Sequence, residues 1–348
     1  TAVAGRRSPE RALLESSAEL RAPRVRAAFS LCRNPSSVSD REGGRVTNHT
    51  RGILLGVVAS LLWGTTYVAI RLIYRESDLD PLGITFARFS IGGLALAGAL
   101  TAQGRGRDLA VFFRGPLPFF WLGLMGIALM GLLGALATKL TAAVNVSLVM
   151  NANPIFIVLL SPLIGERLTA RRLSGVFLGL AGIALVAVGC EAEGPSFAGS
   201  RDLAGILLAA GAALVWAAYT LLGKGVVQRY GGLLTTTVAM LWGTLLLLPF
   251  LGAAVRPGAL SWLAALYVVY LGVIPTAVAF ALWYRALALV DAAALAPTQY
   301  LAPIGTAVLA WPLLDERIGL CFIIGLVLVS SGIALTSRPE HPREGATG

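Results

Sequence analysis

The sequence predicts an all-α integral membrane protein, with ten transmembrane helices arranged as two inverted five-helix repeats. Three observations lead to this prediction: the composition, a series of apolar stretches of bilayer-spanning length, and a match of the chain to itself at an offset of about 150 residues. Of the 348 residues, 56% are hydrophobic and 13% are charged. Soluble domains carry about 25% charged residues, so this chain has too few charges to cover a water-exposed surface.

Residues 1–51 differ in composition from the rest of the chain. They hold ten arginines, five acidic residues and no apolar run, and so contribute half of the net charge of +10. A segment of this kind cannot bury enough apolar surface to offset the entropy lost on ordering. We therefore predict a basic, mostly disordered cytosolic tail that lies near anionic lipid headgroups.

Apolar stretches of about 20 residues follow one another from residue 52 onward, and a helix of that length crosses the roughly 30 Å hydrocarbon layer of a bilayer. Charged or turn-forming residues separate the stretches, as in Arg75-Glu-Ser-Asp78 after the first and Glu191-Ala-Glu-Gly194 after the fifth. The predicted spans are 52–73, 81–102, 116–138, 141–164, 173–190, 203–223, 232–252, 260–283, 291–313 and 318–336.

The distribution of arginine and lysine predicts the orientation. If the N-terminal tail is cytosolic, the inner loops and the C-terminal tail at 337–348 hold eleven of these cations, against six in the outer loops and span ends. Cytoplasmic loops of membrane proteins carry the excess of positive charge. We therefore expect a multi-pass protein of the plasma (cytoplasmic) membrane with both termini in the cytosol.

The two halves of the chain, 52–190 and 203–336, match each other. Glu166-Arg167 matches Glu316-Arg317, and Gly182-Ile-Ala-Leu185 matches Gly332-Ile-Ala-Leu335. Because each half contains an odd number of spans, the second enters the bilayer inverted relative to the first. Inverted repeats are typical of secondary transporters, in which a solute site near the midplane opens to one side at a time.

The same residues carry a resemblance to a known family. The motifs of the first half are Trp63-Gly-Thr-Thr66, Arg88-Phe89, Asn153-Pro154 and Gly165-Glu-Arg-Leu-Thr169, and those of the second are Trp216-Ala-Ala-Tyr219, Trp283-Tyr-Arg-Ala-Leu287, Pro303 and Glu316. In this order, across nearly all of 52–336, they resemble the EamA family of the drug/metabolite transporter (DMT) superfamily. The resemblance implies ten helices, cytosolic termini and transport of small organic solutes, often amino acids or other metabolites and often outward.

Polar and aromatic residues inside the spans are candidates for a solute pathway, because polar groups in lipid are costly unless they face a cavity or a partner. Arg88 lies about seven residues inside the second span, too deep to reach the interface easily. It either binds a solute carboxylate or phosphate, or fixes helix packing. For the others, the structural alternatives are hydrogen bonds between helices and interfacial aromatic belts. The predicted pathway residues are Trp63, Thr66, Arg88, Asn145, Ser147, Asn151, Asn153, Trp216, Tyr219, Gln299 and Tyr300.

Two prolines and two glutamates are the predicted helix breaks and gating positions. Pro154 and Pro303 occupy corresponding places in the fourth and ninth spans, and Pro154 should free the carbonyl of Met150. Glu166 and Glu316 end the same two spans, on opposite faces of the membrane. We expect them to anchor the turn through the adjacent arginine or to cap the next helix, with a gate as the alternative.

The charges that the spans lack also bear on function. No Asp, Glu or His lies in the middle of a predicted span, so the sequence does not support proton coupling through a buried acid. The two histidines, His49 and His341, lie near the ends, and the chain has no Walker A pattern. We predict a secondary transporter, a permease or exporter of small organic metabolites such as amino acids, rather than an enzyme, with no cofactor and no metal site.

Two other classes remain as alternatives: an intramembrane enzyme, and a channel or structural membrane subunit. The expected partners are the solute and the lipid bilayer, without nucleic acid, and the one protein partner considered is a second copy in a homodimer.

Overall fold

The structure is a computed structural model of the full chain, and it describes residues 39–164, 169–188, 199–253, 260–290 and 295–337. In these residues the regular elements are helices, apart from one isolated antiparallel bridge between Ser77 and Leu260. The long helices are α1 (Ser39–Glu76), α2 (Pro81–Ala102), α3 (Pro116–Leu140), α4 (Ala143–Leu163), α5 (Ala170–Val188), α6 (Ser200–Tyr230), α7 (Gly232–Leu251), α8 (Trp262–Leu287), α9 (Leu301–Leu314) and α10 (Leu320–Ser337).

Seven of these helices are long and apolar enough to cross a membrane: α1 from Asn48 onward, α2, α3, α4, α6, α7 and α8. The predicted spans 173–190, 291–313 and 318–336 coincide instead with α5, α9 and α10, which are not among those candidates. Within the ninth predicted span, the described residues form a 3-10 turn at Ala296–Tyr300 and then the α-helix Leu301–Leu314, and residues 291–294 lie outside the described residues. The described residues thus give an all-helical membrane protein, with seven membrane-spanning candidates.

The first helix begins before the predicted end of the N-terminal tail. It starts at Ser39, upstream of the expected boundary at residue 51. The sequence permits this, because no proline interrupts the chain between Pro35 and Pro81. Residues 1–38 and 338–348 lie outside the described residues, so most of both predicted tails stays a prediction.

Local signals in the sequence explain where several helices begin. Asp80 caps α2 by accepting a hydrogen bond from the backbone N–H of Gly83 at 2.7 Å, and Pro81 occupies the first turn, where its missing N–H has no consequence. Ser261 caps α8 in the same way, accepting from the N–H of Ala264 at 3.1 Å. Both caps fix the direction in which the following helix enters the bundle.

Helices α3 and α8 each contain a π-helical turn near the middle. The turns are Leu124–Leu129 in α3 and Val273–Val278 in α8. In α8 the turn includes Pro275, which has no backbone N–H to donate, and the Thr276 hydroxyl donates to the carbonyl of Leu271 at 2.8 Å. Such turns re-aim the side chains of a helix and are frequent at functional sites.

Glycines mark the places where helices approach most closely. A Cβ on Gly182 of α5 would lie 2.8 Å from the carbonyl oxygen of Gly325 in α10, and one on Gly332 would lie 2.6 Å from that of Gly175. The two helices are therefore antiparallel and touch backbone to backbone, as small residues allow.

Two further helix pairs approach in the same manner. A Cβ on Gly123 of α3 would meet the backbone nitrogen of Gly243 in α7 at 2.6 Å. A Cβ on Gly92 of α2 would meet the carbonyl oxygen of Gly272 in α8 at 3.1 Å. Helix α3 thus packs on α7, and α2 packs on α8.

Candidate solute cavity

A cavity of about 750 Å³ lies inside the helical bundle. Its walls come from α1, α2, α3, α4, α5, α6, α8 and α10, with two residues from the turn before α9. The volume falls in the range of about 300–1,000 Å³ that is usual for small-molecule sites. The predicted pathway residues that line it are Trp63, Thr66, Arg88, Asn151, Asn153, Trp216, Tyr219, Gln299 and Tyr300, and Pro154 lines it too.

Aromatic rings form the apolar wall of this cavity. The ring of Trp63 in α1 lies 5.3 Å from that of Phe280 and 5.2 Å from that of Trp283, both in α8. In α6, Trp216 and Tyr219 stack at 4.8 Å. Rings at these separations hold one another in place, so they offer an apolar solute a rigid surface.

Arg88 supplies a fixed positive charge. Its Nε donates to the hydroxyl oxygen of Thr276 at 3.0 Å, and its guanidinium lies 4.8 Å from the ring centroid of Phe89. The π-helical turn of α8 carries Thr276, so it places the partner of Arg88. Among the described residues, no protein group hydrogen-bonds the two terminal nitrogens of Arg88, which suit a carboxylate that takes two parallel hydrogen bonds.

The asparagines of α4 present acceptors to the cavity. Asn151 donates its amide to the carbonyl of Ser147 at 2.8 Å, and Asn153 donates to the carbonyl of Met150 at 3.1 Å. The second bond satisfies a carbonyl that Pro154 was predicted to free. Because the amide nitrogens are used within the helix, the amide oxygens of Asn151 and Asn153 are left for a solute that donates hydrogen bonds.

The charged residues of the described lining are all cations: Arg88, Arg172 and Lys224. Arg88 comes from the first half of α2, whereas Lys224 comes from the last turns of α6. This charge pattern favours a solute with an anionic group.

Four of the predicted site residues that the structure describes are not among the lining residues of the cavity: Asn145, Ser147, Pro303 and Glu316. Ser147 is buried, and its hydroxyl lies 2.7 Å from that of Thr306 in α9, so it joins two helices. Asn145 donates to the Thr141 hydroxyl at 3.2 Å, next to the start of its own helix. Pro303 is buried inside α9. Of these, Ser147 makes a hydrogen bond between helices, which is the structural alternative for a polar residue within a span. Glu166 lies outside the described residues.

Glu316 takes partners that differ from those expected. Its carboxylate accepts hydrogen bonds from the backbone N–H groups of Ala143 at 2.9 Å and Val144 at 3.2 Å, and lies 3.7 Å from Nε of Arg71. It therefore caps α4 in the first half of the chain, rather than the helix that follows it or the adjacent Arg317.

Several lining residues were missed by sequence reasoning. Tyr67 follows Trp63 by one helical turn in α1. In α8, Trp283 and Tyr284 follow Phe280 by three and four residues. This spacing places each set on one helix face and could have identified both. Trp283 fell at the predicted end of its span, where an interfacial belt is the ordinary interpretation.

A set of apolar helices around a solute-sized cavity, with a fixed arginine and an aromatic wall, defines a multi-pass membrane transporter. The model of the EamA-like transporter family matches residues 50–188 and again 203–338. The chain belongs to this family.

Relatives and a solved structure agree with this assignment. An uncharacterized transporter of Archaeoglobus fulgidus is 29% identical, covering 83% of this chain and 98% of that protein. An aromatic amino acid exporter, YddG of Ancylobacter novellus, is 32% identical over 72% of this chain and 84% of its own. A probable terminal-alkyne amino-acid exporter of Streptantibioticus cattleyicolor is 30% identical over 81% and 92%.

A solved structure described as "Crystal structure of protein" is 26% identical, with a TM-score of 0.59, and covers 82% of this chain and 96% of its own. The family and these relatives are transporters. They give no support to the intramembrane enzyme, the channel or the structural subunit.

Proposed function

We propose that this chain exports small amphipathic carboxylates, amino acids foremost, across the plasma membrane by alternating access. The observation that carries the proposal is Arg88, held at Nε by Thr276 and facing a cavity with aromatic walls. The amino acid as solute rests additionally on two relatives, which are named as amino-acid exporters.

Each part of an amino acid finds a counterpart among the lining residues. The terminal nitrogens of Arg88 take the carboxylate in a paired, charge-assisted geometry. The amide oxygens of Asn151 and Asn153 accept from the ammonium group, and the rings of Trp63 and Phe280 take the apolar side chain. Amide oxygens are proposed for the ammonium group, where a carboxylate would be the usual partner, because the lining residues that the structure describes include no Asp or Glu.

The proposal includes ten helices in two inverted halves, with both termini in the cytosol. Support comes from contacts between the two halves that occur in equivalent pairs: replacing each residue of a contact by its match in the other half gives a second contact. At the offset of about 150 residues, Gly175 matches Gly325 and Gly182 matches Gly332. The approach of Gly182 to Gly325 then becomes that of Gly332 to Gly175, and both occur.

A second pair behaves in the same way. The approach of Gly123 to Gly243 has its counterpart in the approach of Gly272 to the Gly92 turn of α2. The π-helical turns at Leu124–Leu129 and Val273–Val278 also differ by nearly the same offset. Such exchange of contacts is expected where two halves are related by a pseudo-twofold axis in the membrane plane.

The energetics proposed are those of facilitated exchange or export down a gradient. Ion-driven carriers usually place a titratable group within the membrane. The described lining offers neither acid nor histidine for that role. A homodimer stays a prediction that does not enter this mechanism.

Flux in proteoliposomes tests the proposal. We expect saturable efflux of aromatic amino acids that is accelerated by unlabelled solute on the opposite side, whereas nucleosides, which lack a carboxylate, do not compete. Liposomes without protein are the control. Flux that rises linearly with concentration and shows no acceleration from the opposite side would indicate a channel and contradict alternating access.

A further inference from the structure

A row of residues on α1 extends beyond the cavity. Trp63 and Tyr67 line the cavity, and Arg71 and Arg75 follow at the same spacing of four residues. Each step is one helical turn of about 6 Å on the same face. Neither arginine is among the lining residues, and both follow Tyr67 along α1, so they lie beyond the part of α1 that forms the cavity wall.

Arg71 joins three elements at that end. Its Nη1 donates to the carbonyls of Thr138 at 2.7 Å and Thr141 at 3.1 Å, around the end of α3. Its Nε lies 3.7 Å from the carboxylate of Glu316, which in turn holds the first N–H groups of α4. The Glu316 side chain is 10% exposed and that of Arg71 is 31% exposed, so the carboxylate is largely buried while the arginine keeps part of its surface open.

Arg75 holds the same segment one turn further out. Its Nη1 donates to the carbonyl of Leu313 at 3.0 Å and its Nη2 to that of Leu314 at 2.6 Å. These are the last carbonyls of α9, which no helical N–H satisfies. Asp315 follows in the left-handed region, with φ of 57°, and this turn brings Glu316 back toward α4.

We infer that Arg71, Arg75 and Glu316 form an outer latch that closes the extracellular end of the cavity and breaks to release the solute. The latch fastens α1 of the first half to residues 313–316 of the second. Alternating access moves one half against the other, so these contacts separate whenever the outer end opens. The cavity lining also includes Ser161, Lys224 and Gln228, which come from the last turns of α4 and α6. The inference rests on the proposed function and orientation.

Sided labelling of a cavity cysteine tests the latch in the full-length chain in intact cells. The reporter is Thr66→Cys, read with a membrane-impermeant maleimide and corrected for the labelling of the same protein without it. We expect Glu316→Gln and Arg71→Gln each to raise labelling from outside severalfold, and the double variant to raise it by less than the two effects combined, because both variants break the same ion pair. The matched control is Arg317→Gln, which removes an exposed charge beside the latch and should label as the native protein does.

A second measurement keeps the inference testable if those variants fail to insert. With Arg75→Cys and Leu313→Cys together, a short bifunctional maleimide should stop solute efflux, whereas neither single cysteine should respond to it. Unchanged outside labelling in Glu316→Gln, an equal rise in Arg317→Gln, or continued efflux from the cross-linked protein would each overturn the latch. If the native protein carries no amino acid while the latch variants still change the sidedness of labelling, the solute proposal fails and the latch stands.

Discussion

Among the described residues, Thr276 from the other half of the chain hydrogen-bonds the Nε of Arg88 and so orients its guanidinium. The hydroxyl proton of Thr276 is directed to the carbonyl of Leu271 at 2.8 Å, which leaves an oxygen lone pair for the Nε of Arg88 at 3.0 Å. A hydroxyl orients the guanidinium without neutralising its charge. A carboxylate in the same place would compete with the solute carboxylate for Arg88. Thr276 thus acts as a positioning residue.

Replacing Thr276 by valine tests that role. Thr276→Val keeps the shape and removes the acceptor, so we expect the KM for an amino acid to rise with little change in kcat. Loss of one hydrogen bond to a charged group corresponds to about 1.5–3 kcal/mol, or roughly 10-fold to 150-fold in kcat/KM. Thr276→Ser restores the acceptor and should restore the KM. Efflux kinetics from proteoliposomes measure both, and a native KM for the valine variant would show that Arg88 is held without Thr276.

Arg88 itself gives the strongest expected loss of transport. Arg88→Ala should abolish efflux while membrane insertion persists, because the site loses the cation proposed to bind the solute carboxylate. Arg88→Lys retains the charge without the planar fork, and should keep a weak activity with a raised KM. Initial rates in cells, normalised to the amount of inserted protein, measure this. Unchanged efflux from the alanine variant would remove Arg88 from the site.

The sequence was informative about residues whose chemistry conflicts with lipid, and less so about partners far along the chain. Arg88 and Trp63 stood out because a charge or a large aromatic lies deep in an apolar run, and both line the cavity. Ser147 carried a similar signal, but it faces Thr306 of α9, and no local pattern distinguishes that face from the cavity. The cap of Glu316 on Ala143 joins opposite halves of the chain, so spacing alone could not identify it.

Among the elements, α5 and α10 are held together by contact between backbones. The glycines matched in the sequence, Gly182 with Gly332, each oppose a glycine of the partner helix, so no side chain separates the two backbones. The match between the two halves marked these glycines as equivalent, and the structure adds which of them meet. The π-helical turn at Leu124–Leu129 had no sequence signal of its own, since it contains no proline.

A methyl group at the crossing of α5 and α10 should destabilise the protein. A Cβ on Gly332 would lie 2.6 Å from a backbone oxygen and 2.8 Å from the backbone nitrogen of Gly179, and neither atom can swing aside. For Gly332→Ala we expect a loss of about 1–3 kcal/mol, typical of overpacking. The control is Gly98→Ala in α2, where a Cβ meets nothing within 4 Å. Thermal inactivation of the detergent-purified proteins measures the difference, and equal stability of the two variants would contradict the close approach.

For the molecule as a whole, the orientation depends on how many helices cross the bilayer. The positive-inside excess places both termini in the cytosol if the ten predicted spans all cross. Two of the six outer cations, Arg71 and Arg75, are bound to carbonyls or to Glu316, and their positions therefore follow from packing as well as from charge. The remaining outer cations are too few to reverse the bias.

The side of the membrane on which the C-terminus lies tests whether the number of spans is even or odd. Ten spans, an even number, return the C-terminus to the side of the N-terminal tail, whereas seven spans, the number of helices long and apolar enough to qualify individually, place it on the opposite side. A fluorescent reporter that matures only in the cytosol should therefore work when fused after residue 348, and alkaline phosphatase, which needs an oxidising compartment, should not. Fusions after Asp78, expected outside, and after Arg107, expected inside, control for each reporter. Phosphatase activity at residue 348 would exclude ten spans and with them the pairing of inverted five-helix halves.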